Sequence, residues 1–493
     1  MIRGNAHIPE FGLPDHQLFF LADGKNRYTY GNLYQFANQL ENEAGKFSIS
    51  EKNPLLIFTE STAETVFVIA ASFLSKIPIL SLHPETNKAE LENIFKSIEP
   101  AAVYNNGNLQ LDLPDDLPVL SFSIDQEIFN SENPTTDFQF DEPERTAGFF
   151  LTSGSTGNPK IVPVKRRQVF FAANASAENI KPAENKYWLL CLPLNHVGGI
   201  NVIYRSLLYH SAIYLTQSFD AVKIQSLLND NKDFEAASMV PTMLEMLLEN
   251  SFFRVQFNFK GLLLGGGPIS MDLINRSLTR GIPIVTSYGM TETCAQIAAN
   301  PMLKPRGVYT PKQSVGQVFE PNQIEIRSES GQSLPFNESG IIWLKGPQVF
   351  DGYTEESHNT GIFDYDGWFN TGDYGHLNRK KQLFIETRRD DLIISGGENV
   401  NPAEMEELLA KQADIREAAV IGVPDKKWGQ KVVAFVVAEP NSFDSESIKK
   451  TLRESVRSYK IPKEFVLMKS LPKTDTLKVK KRELLKIYEK NIQ

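Results

Sequence analysis

Cysteine is nearly missing from this 493-residue chain: only Cys191 and Cys294 occur, each inside an apolar or motif-like stretch. Two thiols give neither a disulfide framework nor a thiolate metal site, and their scarcity suits a reducing compartment. Long apolar runs are missing too. The longest, Val66 to Leu74, falls far short of the roughly 20 residues that a membrane-spanning helix needs. The first residues, MIRGNAHIPEFGLPDH, lack the apolar core of a signal peptide, so a cytoplasmic protein without membrane insertion is expected. Basic charge is in deficit, leaving a net −9. That balance argues against non-specific binding to nucleic acid or an anionic membrane, and an anionic ligand would need its own local cation. No internal repeat, low-complexity segment or G-x-x-x-x-G-K-[ST] spacing is present.

A chain of this length holds more than one domain, since single cores rarely grow past about 250–300 residues. Up to about residue 300, short apolar runs alternate with helix-like stretches: 54–58, a helix from Ala63 to Lys76, then 79–82, 188–194, 212–215, 236–240 and 262–264. Alternation of this kind predicts layered parallel α/β sheets, whose strand ends bind ligands. From about 313 to 386, turn-rich sequence separates short strand-like pieces such as 323–326 and 341–344, which predicts a β-rich subdomain. After the junction at Thr387-Arg388-Arg389-Asp390 the pattern becomes α+β. Asn401-Pro402-Ala403-Glu404 starts a helix with Asn as N-cap and Pro in the first turn. Strands at 418–423 and 432–437 follow, then a helix carrying Ile448, Leu452 and Val456. The expected division is a body of 1–388 and a small mobile C-terminal domain of 389–493.

Several segments carry chemistry. Thr152-Ser153-Gly154-Ser155-Thr156-Gly157-Asn158-Pro159-Lys160 follows the strand-like run 147–151 and places hydroxyls and bare backbone where an anion could sit; a solvated loop would have the same composition. Gly265-Gly266-Gly267-Pro268 follows 262–264 and suits either a flat ring lying on bare backbone or a tight turn. Tyr288-Gly289-Met290-Thr291-Glu292 follows the run 284–286. Its carboxylate suits magnesium held jointly with substrate phosphates, or the first turn of a helix. Asp373, in Thr371-Gly372-Asp373, could accept two ribose hydroxyls or be an ordinary turn residue. Arg388 and Arg389, and the basic run 471–481, read singly as anion contacts or solvated charge.

Taken in order, these segments resemble the adenylate-forming superfamily of acyl- and aryl-CoA synthetases, luciferases and non-ribosomal adenylation domains, over nearly the whole chain. The resemblance implies a nucleotide site. TSGSTGNPK (Thr152, Ser153, Gly154, Ser155, Thr156, Gly157 and Lys160) becomes the phosphate loop and GGGP (Gly265 to Pro268) the adenine-side turn. SYGMTE (Ser287, Tyr288, Gly289, Met290, Thr291, Glu292) becomes the loop for AMP and Mg2+, with Glu292 the metal-side carboxylate; Asp373 is the ribose carboxylate and Arg388 a nucleotide contact. PKTDTLK makes Lys478 the mobile catalytic lysine, with Glu292 and Thr152 assisting. Two departures stand out: Leu477 and Thr387 occupy positions where the superfamily usually has Gly, and Leu477 restricts the backbone without removing the neighbouring amine.

LPLNHVGGINVIYRSLLYHSA, SYGMTETCAQIA and LIISGGENVNPAEMEE are similar to the 2-succinylbenzoate–CoA ligases of menaquinone biosynthesis. That similarity implies ATP, Mg2+ and coenzyme A as reaction partners of a small carboxylic acid. Rotation about a hinge at Asp390 would bring Ser395-Gly396-Gly397 to the thiol path. His196 falls at the acyl pocket, and Arg205 is the candidate cation for a second substrate carboxylate; a satisfied core histidine and a structural salt bridge are the competing accounts. A ligase for another acyl or aryl acid, or a non-catalytic nucleotide-binding relative, stays open from sequence. So does the oligomeric state, a homodimer included.

Overall fold

The computed structural model describes residues 7–105, 113–114, 116–124, 129, 137–152, 160–267, 269–304, 314–388, 391–395, 398–425, 428–439, 443–474 and 477–492. The chain folds as two compact units, residues 1–324 with 344–369, and residues 325–343 with 370–493. Among the described residues no helix is long and apolar enough to cross a membrane.

The first unit is a layered α/β body built on two sheets. One has nine strands in the order Gln317–Val318, Ala295–Ala299, Ile284–Met290, Gly261–Leu264, Phe234–Met239, Tyr187–Leu190, Ala212–Leu215, Phe19–Ala22, Arg27–Thr29. Its middle is parallel, and antiparallel strands close both ends. The other has six strands in the order Val119–Leu120, Ala102–Tyr104, Leu55–Phe58, Ile79–Leu82, Thr146–Thr152, Lys160–Lys165, parallel except for the last pair. The parallel strands are short and largely apolar, as buried parallel strands should be. Helix Ala63–Leu74 is buried on every side except Glu64, the signature of a helix inside a layered body. It packs against helix Val197–Tyr209, with the Phe73 and Tyr204 rings 4.5 Å apart.

The second unit contains a four-stranded sheet in the order Gln323–Arg327, Gly340–Lys345, Phe369–Leu377, Leu383–Arg388. It also contains the sheet that organises the C-terminal residues: Glu398–Val400, Ile393–Ser395, Gly429–Ala438, Ile415–Asp425, with Glu464–Met468 parallel to Gly429–Ala438. Asn401 caps helix Pro402–Ala410 as its sequence requires, its Oδ1 accepting from the Ala403 amide at 2.9 Å. This C-terminal sheet is covered on both faces. Ile393, Val400, Met405, Ile448 and Leu452 fill one side, and Ala419, Leu471, Leu484 and Tyr488 fill the other.

Two strands depart from expectation. The run at 188–194 forms strand only to Leu190, because Pro193 has no N–H to give a ladder. The strand expected at 284–286 continues to Met290, since Ala295–Ala299 returns antiparallel and pairs Gly289 with Gln296.

Candidate active site

Thr152 and Lys160 face each other across the hairpin formed by Thr146–Thr152 and Lys160–Lys165. Ser153, Gly154, Ser155, Thr156 and Gly157 fall in the connection, outside the described residues. The hairpin strands pack against the single 3₁₀ turn Thr291–Thr293. Glu292 therefore sits in a 3₁₀ turn that joins two antiparallel strands.

Glu292 is 9% exposed and its Oε1 accepts from the Tyr353 hydroxyl at 2.7 Å. The face of that same phenol lies 4.7 Å from the Lys160 ammonium. The Glu292 carbonyl accepts from the Phe350 amide at 2.8 Å and from Gln168 Nε2 at 3.3 Å. Gln348, fully buried, donates to the carbonyls of Thr293 and Gln296. These bonds hold a costly backbone: Cys294 and Ala295, neither of them glycine, are both left-handed, with φ of +50° and +68°. Gly289 has its own reason to be bare, because a Cβ there would overlap the Ala295 carbonyl.

The Gly265–Gly267 turn leaves the end of Gly261–Leu264, the parallel neighbour of Ile284–Met290. The two loops thus leave the same edge of one sheet. Gly266 is left-handed, with φ of +79°, and a Cβ on Gly265 would approach Ser287 Oγ to 2.8 Å, so both need glycine. Ser287 Oγ donates to the Leu264 carbonyl at 2.9 Å, joining the turn to the Tyr288-Gly289-Met290-Thr291 strand end. Pro268 lies outside the described residues.

His196 precedes helix Val197–Tyr209, half-buried, its carbonyl accepting from the amides of Gly199 and Ile200. Val197, Asn201 and Arg205 share one face of that helix, and this face meets Cys294 and Gln296. Arg205 is 1% exposed. Its Nη2 donates to Gln296 Oε1 at 3.4 Å, the guanidinium carbon lies 5.7 Å from the Trp188 ring, and neither its Nε nor Gln296 Nε2 has a hydrogen-bond partner among the described residues. No carboxylate of the described residues pairs with it, which removes the structural salt bridge; burial pushes its pKa down from the usual arginine range. His196 and Arg205, about two and a half helical turns apart, share no hydrogen bond among the described residues. Burial lifts the Cys294 thiol to about 11 and the Cys191 thiol to about 12, so neither is a ready nucleophile at neutral pH.

The second unit holds the remaining candidates. Asp373 is 6% exposed and directly opposite Arg388 in the register of strands Phe369–Leu377 and Leu383–Arg388. Its backbone is set by Gly372, at φ +72°, and by its amide donating to Thr371 Oγ1 at 3.1 Å. Ser395 is buried in the C-terminal sheet, paired with Glu398 and Gly429. Asp390, Gly396 and Gly397 fall outside the described residues. Lys478 is tied to Thr474: the Thr474 amide donates to the Lys478 carbonyl at 2.8 Å and the Lys478 amide to Thr474 Oγ1 at 3.2 Å. Sequence reasoning missed Tyr353, Gln168 and Gln348, which reach Glu292 or its turn from far along the chain; the only local signal was Gly352 beside an aromatic.

Residues 12–354 match the AMP-binding enzyme family, and residues 404–478 match the AMP-binding enzyme C-terminal domain. A 2-succinylbenzoate–CoA ligase of Listeria monocytogenes serovar 1/2a is 38% identical over 368 residues, 73% of this chain and 75% of that one. The o-succinylbenzoate CoA synthetase of Bacillus subtilis, solved with its acyl-adenylate intermediate, superposes with a TM-score of 0.81 at 29% identity, covering 94% of this chain and 95% of that one. The same enzyme with ATP and magnesium ion gives 0.81 at 28% identity, over 95% and 96%.

Proposed function

The chain belongs to the AMP-binding enzyme family, and we propose that it is an AMP-forming acid–thiol ligase that converts 2-succinylbenzoate to its CoA thioester for menaquinone biosynthesis. A carboxylate is a poor acyl donor because its leaving group is oxide. In the first half-reaction the substrate carboxylate attacks the α-phosphorus of ATP and pyrophosphate leaves. In the second, the CoA thiol sulfur bonds to the acyl carbon and AMP departs with the electron pair of the broken C–O bond. Both early partners are anions, so the catalytic need is for positioned donors and cations.

Lys160, the Thr152–Lys160 loop and Lys478 supply that charge. Asp373 and Arg388 hold the ribose side, and Gly265–Gly267 with Ser287–Thr291 hold the adenine side. Among the described residues no cluster of three or more metal ligands exists. A single buried carboxylate at Glu292 fits magnesium, which takes one or two carboxylates plus substrate phosphates, and when bound the ion would neutralise phosphate charge there. The body ends near 388 and the C-terminal domain, from 389, turns about Asp390 to exchange Lys478 for Ser395-Gly396-Gly397. The enzyme works in the cytoplasm.

The observation that carries the choice of acid is Arg205. A buried cation with no carboxylate partner is costly, and its planar fork suits the second carboxylate of a dicarboxylic acid. Its helix leads from His196, at the acyl pocket. The test is pyrophosphate release across a panel of carboxylic acids, with and without CoA. Arg205→Ala should raise the KM for 2-succinylbenzoate by about tenfold or more, the scale of one charged hydrogen-bonded contact, and leave that for ATP and for benzoate-like monoacids nearly unchanged. Wild-type preference for a monocarboxylate would overturn the choice of acid while leaving acid adenylation intact.

A further inference from the structure

Resting on the reading of Glu292 given above, we propose that Tyr353 is a positioning residue that keeps the Glu292 carboxylate and the Lys160 ammonium apart and oriented for different parts of one ligand. Tyr353 lies 61 residues from Glu292 in sequence, yet its hydroxyl donates to Glu292 Oε1 at 2.7 Å while its ring face meets Lys160 Nζ at 4.7 Å. Two opposite charges that touch the same side chain would pair directly once that side chain was removed, and each would be spent on the other before a triphosphate arrived. A ring face is a weak partner for an ammonium and is readily replaced by phosphate oxygens. A phenol hydroxyl fixes the carboxylate plane without neutralising its charge.

The backbone that carries the phenol is itself held by side-chain hydrogen bonds. Asn359 grips it from both sides, Oδ1 accepting from the Tyr353 amide at 2.7 Å and Nδ2 donating to the Tyr353 carbonyl at 3.0 Å. Gly352 adopts φ +133°, and a Cβ there would stand 2.9 Å from Asn359 Oδ1. Phe350 meets the phenol edge-on at 4.9 Å. The Thr354 amide donates to the Ile161 carbonyl at 3.1 Å, which joins this segment to the strand carrying Lys160.

Tyr353→Phe keeps the ring and removes the hydroxyl, and Tyr353→Leu removes both. ATP binding is measured by calorimetry in magnesium and in EDTA, alongside the magnesium concentration that half-saturates pyrophosphate release. The Phe variant should need about tenfold more magnesium, the effect of one hydrogen bond to a charged group, with its ATP affinity in EDTA unchanged. The Leu variant should lose about threefold or more in ATP affinity even in EDTA, because Lys160 is then free to pair with Glu292 and that ion pair must be broken before phosphate binds, and the loss should vanish in a Lys160→Ala background. A Phe variant with wild-type magnesium dependence, or one weakened equally with and without magnesium, overturns the proposal while the ligase reading stands. Wild-type protein that releases no pyrophosphate with any acid removes the ligase reading and this proposal together.

Discussion

Leu477 holds a left-handed backbone, φ +59°, directly before Lys478. The Leu477 amide donates to the Thr474 carbonyl at 2.8 Å, and the positive φ explains physically why glycine suits this position. A side chain in this region costs about 1–2 kcal/mol, and glycine would give back roughly 0.5–1 kcal/mol through the freedom of its unfolded chain. Leu477→Gly should therefore raise unfolding free energy by about 1 kcal/mol or less in a urea titration, the difference between those two effects. Lys478→Ala is the sharper test of the neighbouring amine. Losing one preorganised charge donor should slow adenylation by about 10²–10³, while CoA transfer from a supplied acyl-adenylate survives. Equal loss of both half-reactions would assign Lys478 to folding or general binding. By contrast Lys481, whose partly buried ammonium pairs with Glu406 at 2.9 Å, should tolerate Ala with adenylation and CoA transfer both retained and a stability loss of about 1 kcal/mol.

Among elements, the turn Thr291–Thr293 shows where sequence reading stops. Apolar runs bounded by Pro or Gly were legible as strands, and Asn401-Pro402 as a helix start, because each signal is local and has one physical cause. Nothing local marks Cys294 and Ala295 as left-handed. That conformation is imposed by partners more than fifty residues away, Gln348 on the Thr293 carbonyl among them. Residues such as Glu292 and Asp373 could be picked out by type and spacing, but the groups that orient them could not. Gln348→Leu should expose this dependence. Two carbonyls would lose a buried donor, at about 1–3 kcal/mol each, so a loss of roughly 2 kcal/mol or more is expected in urea unfolding, with adenylation falling further than stability alone explains. A loss below about 0.5 kcal/mol, the size of an ordinary surface substitution, would mean that the turn holds itself.

For the molecule as a whole, one site must run two reactions that need different linings. The C-terminal sheet is covered on both faces, with Ile393 in the core of one and Val479 packed against the core of the other. Ile393 opens the strand that ends at Ser395, and Val479 follows Lys478. Segments tied to opposite faces of one sheet would line one site in turn if, as proposed, the C-terminal domain pivots at Asp390. A few residues that absorb a change in φ and ψ are enough for such a rotation. Proline fixes φ near −65° and removes the amide donor, so Asp390→Pro should hold one orientation. Adenylation, followed as pyrophosphate release in a single turnover, should persist. Thioester formation from a supplied acyl-adenylate and CoA should fall by about 10² or more, the cost of losing the arrangement that brings the thiol to the acyl carbon. Thioester formation at the wild-type rate in that variant would show that the two linings are exchanged by some means other than rotation at Asp390.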